Sequence, residues 1–243
     1  AVTTTAVGTA PKQLAAVDVN GDNKLDLVTV NQTGNNISVL LGNGNGTFAA
    51  AVNVAAGTAP FGITTGDFNG DTKLDVIVSN PAAGTINVIT GNGNGTFNAA
   101  VSAAAGKRPF GLQSADVDGD GKRDLIVANQ ITDTIANAPG DNAVSVMLGL
   151  GNGTFSAATK YAVGTSPFQL ALADFNGDGL IDIAASNAQG GSAGVLVNIG
   201  AGSFSFRGNF NAVGAAGIAV GDFNGDTRPD IVAGNTILVN GSR

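Results

Sequence analysis

The hydrophobic and polar positions of the chain fall into short blocks that return with a fixed period. The stretch from Pro60 to Pro109 shows the unit. Residues 61–66 read Phe-Gly-Ile-Thr-Thr-Gly and predict a short first strand. Residues 74–78 read Leu-Asp-Val-Ile-Val, apolar and mostly β-branched around one aspartate, which predicts a buried second strand. Pro81, Ala82, Ala83 and Gly84 form a turn, and residues 85–89 then alternate as a half-buried third strand does. Gly91, Gly93 and Gly95, interleaved with Asn92 and Asn94, accept the positive φ of a tight turn. Residues 96–101 start a fourth strand, and Gly106, Lys107, Arg108 and Pro109 lead into the next unit. No window predicts a helix, because Gly or Asn interrupts the apolar blocks too often.

Four short strands per period are the signature of a β-propeller blade. A lone four-stranded sheet cannot bury both faces and leaves its edges open to aggregation, whereas blades packed face to face solve the first problem. The fold class expected is therefore all-β: a β-propeller of five four-stranded blades in a single domain over residues 1–243. Residues 236–240 match a third strand of the fifth unit. Residues 1–7 match a fourth strand ahead of Gly8, Thr9, Ala10 and Pro11. The N-terminal strand is thus expected to complete the last blade in a monomeric closed ring. A piece of a larger ring, or an array completed by oligomerising, remains the alternative.

Between the first and second strands of every unit lies a nine-residue loop with oxygen-bearing side chains at its first, third, fifth and ninth positions. The first copy carries Asp18, Asn20, Asp22 and Asp26, and the second Asp67, Asn69, Asp71 and Asp75. The third carries Asp116, Asp118, Asp120 and Asp124. The fourth carries Asp174, Asn176, Asp178 and Asp182, and the fifth Asp222, Asn224, Asp226 and Asp230. The seventh position varies among Lys24, Lys73, Lys122, Leu180 and Arg228, which suits a residue contributing its backbone carbonyl. Hard cations such as Ca²⁺ take six to eight oxygen ligands in irregular geometry. One such loop could be an ordinary Asx turn; five equivalent loops predict about five Ca²⁺ sites, one per unit. No Glu at a twelfth position and no flanking helices make them unlike EF-hands.

Composition sharpens this. All 18 acidic residues are Asp, and only Asp133 and Asp141 lie outside the loops. The net charge of −7 is therefore concentrated at five points, and five divalent cations would turn it to +3. No basic run suits nucleic acid, and no apolar stretch is long enough to enter a membrane as a spanning helix. There is no Cys, His or Glu, so a catalytic site would have to be built from Asp, Lys, Tyr161 or Ser. Asp133 and Asp141 could pair for glycoside cleavage, but they share one expected surface loop, residues 131–141. That loop, with Asp133, Asn137 and Asp141, is read as a surface insertion, or alternatively as a ligand-contacting loop. The periodic phenylalanines at positions 48, 61, 97, 110, 155, 168 and 204 are read as blade packing.

The segments Gly57-Thr58-Ala59-Pro60-Phe61-Gly62, Asp67-Phe68-Asn69-Gly70-Asp71 and Gly93-Asn94-Gly95-Thr96-Phe97 together resemble the FG-GAP/VCBS repeat. That repeat builds integrin α-subunit propellers, several lectins and propeller domains of secreted bacterial proteins. The resemblance implies a propeller whose acidic loops bind Ca²⁺, with ligands taken on the opposite face or between blades. The family rings have seven blades, not five. The Pro-Phe pair becomes Pro11-Lys12 in the first unit and Ala216-Gly217 in the last. The function expected is a non-enzymatic, secreted or cell-surface lectin or adhesion module that binds a glycan or an extracellular protein. The alternatives are a structural or protein-interaction propeller, natural or engineered from a larger protein, and a calcium-dependent polysaccharide-degrading enzyme.

Overall fold

The computed structural model describes residues 4–130 and 142–240. Among them there are nineteen strands and no helix. The first sheet holds β1 (Pro11–Val17), β2 (Asp26–Asn31), β3 (Asn36–Leu40) and β4 (Val52–Ala55). The second holds β5 (Ile63–Gly66), β6 (Asp75–Asn80), β7 (Thr85–Ile89) and β8 (Val101–Ala104). The third holds β9 (Pro109–Ala115), β10 (Asp124–Asn129), β11 (Ala143–Met147) and β12 (Thr159–Ala162). The fourth holds β13 (Pro167–Ala173), β14 (Asp182–Asn187), β15 (Ser192–Asn198) and β16 (Phe204–Asn211). The fifth holds β17 (Ile218–Gly221), β18 (Asp230–Ala233) and β19 (Thr236–Leu238). In every sheet the strands pair in sequence order and antiparallel.

The residues fall into two compact units. One covers Ala1–Arg108 with Leu150–Thr154, and the other Pro109–Gly149 with Phe155–Arg243. The first contains the first two sheets. Val28, Val30, Ile37 and Val39 of the first sheet pack with Val76, Val78 and Ile89 of the second. In the second unit, Ile126, Val144 and Val146 pack with Leu170, Ile183 and Leu196, and Ala184 and Val195 pack with Ile231 and Ala233. Each fully buried aliphatic side chain contributes about 1.5–3 kcal/mol. The second strands lie at the centre of this burial: every residue of β6, β10 and β14 is buried, as their unbroken apolar runs require. The fourth strands β4, β8 and β12 are exposed except at their third residue, and that of β12 is Tyr161, packed edge-on to Phe204 at 5.5 Å.

Three expectations change. The fourth strand does not run on from residue 96. Asn94 Oδ1 accepts the Thr96 N–H (3.0 Å) and Oγ1–H (2.7 Å), and this turn swings Phe97 into a single bridge with Gly91. The strand proper begins only at Val101. In the second unit of sequence the first strand begins at Ile63. Before it the ladder is irregular, because the Ser79 hydroxyl takes the Gly62 N–H (2.8 Å). Lastly, the fifth sheet has three strands, and residues 4–7 form no strand, so N-terminal completion of the last blade is not seen among the described residues. The insertion at 131–141, with Asp133, Asn137 and Asp141, lies outside the described residues.

Candidate metal centre

Each acidic loop joins a first strand to a second strand, and the five share one hydrogen-bond pattern. The first-position aspartate folds the loop around itself. Asp67 Oδ1 accepts the Gly70 N–H (2.7 Å) and Oδ2 the Thr72 N–H (2.8 Å). Asp18, Asp116, Asp174 and Asp222 repeat this with donors three and five residues on. Third-position oxygens accept the fifth-position N–H: Asn20 from Asp22, Asn69 from Asp71, Asp118 from Asp120, Asn176 from Asp178 and Asn224 from Asp226. Fifth-position carboxylates accept the N–H of Lys24, Lys73, Lys122, Leu180 and Arg228. The seventh residue thus spends its N–H inside the loop while its side chain varies freely.

This folding needs left-handed backbone at the fourth and sixth positions. Gly21, Gly70, Gly119, Gly177 and Gly225 occupy the fourth with φ near +80°. The sixth is Gly121 or Gly179 in two loops, but Asn23 (φ 61°), Thr72 (φ 65°) and Thr227 (φ 71°) in the others.

The ninth-position aspartate behaves differently. Asp26, Asp75, Asp124, Asp182 and Asp230 are fully buried, and each accepts one backbone N–H at each oxygen. Asp75 takes Phe68 N–H at Oδ2 (3.0 Å) and Gly91 N–H at Oδ1 (2.9 Å). The same pair of bonds comes from Val19 and Gly42, Val117 and Gly149, Phe175 and Asn198, and Phe223 and Asn240. One carboxylate therefore ties the loop to the end of the third strand or the turn after it. The spacing did not reveal these partners, yet a trace of them exists. Gly42 and Gly91 both follow their aspartate by sixteen residues, and a Cβ on either would lie 2.1 Å from the carbonyl oxygen of Leu25 or Leu74.

The electrostatics separate the two kinds of carboxylate. Burial pushes the carboxyls of Asp75, Asp124 and Asp182 up, against their two N–H bonds and with help from the nearby loop aspartates. Desolvation also opposes ionisation of Asp18 and Asp174, but backbone N–H donors outweigh it and hold both below the usual carboxylate range. Asp222 is held low chiefly by the Thr227 N–H. Lys24 and Lys122 make exposed ion pairs with Asp22 (3.0 Å) and Asp120 (2.6 Å), lowering both carboxyls.

Carboxylate oxygens of Asp116, Asp118 and Asp120 lie within 4.8 Å of one another, the separation a shared cation needs. The other loops carry Asn in the third position and share the hydrogen-bond pattern with one charge fewer. An all-oxygen donor set fits a hard divalent cation such as Ca²⁺. Of the residues expected as ligands, Asp116, Asp118 and Asp120 are thus brought together, while the ninth-position aspartate of each loop is buried with both oxygens bonded to backbone N–H groups.

A family model described as FG-GAP-like repeat matches the chain four times, at residues 18–78, 67–127, 128–185 and 174–233. The chain belongs to the FG-GAP-like repeat family. No curated protein matches the sequence significantly. Among solved structures, this FG-GAP-like chain is similar to a functionally unknown protein from Desulfotomaculum acetoxidans (TM-score 0.63, 13% identity, 94% of this chain and 71% of that one). It is similar to BBS1N, crystallised with ARL6DN (TM-score 0.59, 11% identity, 93% and 62%). It is also similar to the periplasmic gluconolactonase PpgL of Pseudomonas aeruginosa (TM-score 0.60, 13% identity, 95% and 57%). The chain spans roughly three-fifths to seven-tenths of these proteins' lengths. At such identities the likeness is one of fold, and with the four- and three-stranded sheets it makes the fold propeller-like.

Proposed function

We propose that this FG-GAP-like chain is a non-enzymatic, calcium-binding propeller module of a secreted or cell-surface protein, which binds a glycan or an extracellular protein ligand. The observation that carries the reading is the fivefold repetition of one oxygen-lined loop, with the same residues hydrogen-bonded in the same way. The cation is held by the side chains at the first, third, fifth and ninth positions and by the seventh carbonyl. It would supply charge neutralisation at a cluster of like charges, and its binding would couple to folding of the first hairpin. Extracellular calcium is abundant enough to fill even weak sites of this kind. Repeated sheets rich in Asn, Thr and Ser offer repeated hydrogen-bonding surfaces, and weak repeated sites gain by avidity. Five blade-like sheets support a propeller of at least five blades, the fifth of which needs a fourth strand to match the rest.

The ligand class is tested by a glycan array probed with the calcium-loaded protein and a chelated control. Reproducible binding to one sugar class supports the lectin reading. A blank array from folded, calcium-saturated protein moves the assignment to a protein ligand.

A further inference from the structure

The two ends of the repeat array carry complementary surfaces that its interior repeats bury. Within each unit, neighbouring repeats join in one way. Val19 and Val39 of the first repeat pack with Ile63 in the cluster shared with the second. Val117 and Val146 of the third pack with Leu170 of the fourth, and Phe175 and Val195 of the fourth with Ile218 of the fifth. The pieces are equivalent each time: the second residue of the acidic loop and a third-strand residue on one side, and a first-strand residue four before the loop on the other. A hydrogen bond to the loop's second carbonyl accompanies the packing. Gly95 N–H donates to Val19 O (3.2 Å), Asn198 Nδ2 to Val117 O (2.8 Å) and Asn240 Nδ2 to Phe175 O (2.7 Å).

In the fifth repeat the same positions are Phe223 and Ile237, and they stand 50% and 56% exposed. In the first repeat the matching first-strand residue is Leu14, 62% exposed. Beside β19 lies a groove of about 660 Å³ lined by Val195, Phe210, Ile237 and Leu238, along the edge where the other third strands receive a fourth. Residues 4–7 have the sequence position of such a strand. Their last residue, Val7, is only half-buried, whereas its counterparts Ala56, Ala105, Val163 and Ala212 are fully buried. Large apolar residues exposed together in this way mark an interaction surface.

We propose that the fifth repeat docks the first repeat of a second copy of this chain, head to tail. Leu14 of that copy packs on Phe223 and Ile237, and its residues 4–7 add to the free edge of β19. The existing repeat junctions are the template, and they supply both halves of the contact on one chain. A heterologous interface of this kind generates rings or open arrays of copies. The proposal rests on the repeat fold and not on calcium, so failure of metal binding leaves it standing.

The test is the mass of the full chain by sedimentation over a range of concentrations. The wild type is expected to rise above 23.8 kDa as concentration increases. Leu14→Lys blocks one end and Ile237→Lys the other, so each alone is expected at the monomer mass. An equimolar mixture of the two leaves one intact pair of ends and is expected to give a two-chain species. Should Ile237→Lys fail to fold, Val239→Lys, also exposed, replaces it. A wild type that stays at 23.8 kDa throughout, or a mixture without the two-chain species, overturns the proposal.

Discussion

Thr72 and Thr227 sit at positive φ where two other loops have Gly121 and Gly179. A β-branched residue there is strained by about 1–2 kcal/mol, because its Cβ crowds the following carbonyl. Thr72→Gly is therefore expected to stabilise the protein by about 1 kcal/mol, partly offset by the greater freedom of glycine in the unfolded chain. Urea denaturation reads this as a higher midpoint at unchanged slope. Gly91→Ala should do the reverse, since its Cβ would meet the Leu74 carbonyl at 2.1 Å and loosen the bond to Asp75. A loss of about 1–3 kcal/mol is expected in the same experiment. Asp71→Ala should remove one site and leave the other four, read by the stoichiometry of calcium binding. The residue types and spacing made the loops and the part played in them by the first, third and fifth positions legible, because the bonds that fold each loop are local in sequence. They did not show that Asp26, Asp75, Asp124, Asp182 and Asp230 lie buried between two N–H groups, because one donor of each pair comes from the end of the third strand or just beyond it.

The hairpin of first and second strands is the element that the acidic loop controls. Without a cation, Asp75, Asp124 and Asp182 have raised carboxyls, so the folded protein takes up protons before the unfolded chain does. Its stability should then increase as pH falls from neutrality toward the ordinary carboxylate value. Below that value the carboxyls held low, Asp18, Asp174 and Asp222 among them, protonate later than in the unfolded chain, and stability should fall again. Melting temperatures of chelated protein across that range should pass through a maximum in mild acid. A curve that declines steadily from neutrality would contradict this assignment of the buried carboxylates. The buried second and third strands were legible from their apolar runs. The start of the fourth was not, because the side-chain bonds of Asn94 to Thr96 rather than hydrophobic pattern decide where that edge begins.

At the scale of the whole molecule, five repeats were legible from spacing alone, and five sheets follow that spacing among the described residues, while the family model matches four times. Completion of the fifth sheet was not legible, since residues 1–7 have the sequence pattern of a fourth strand while the described part of that segment, residues 4–7, forms no strand. Charge is also a property of the whole. A net −7 gathered in five loops opposes the compact state unless cations neutralise it, so metal should stabilise the whole array. The most direct measurement is calorimetric titration of chelator-stripped protein with Ca²⁺, paired with the melting temperature at the end point. Uptake of about five ions per chain and a melting temperature higher by several degrees are expected. Protein that takes up no calcium at millimolar concentration and melts unchanged would contradict it.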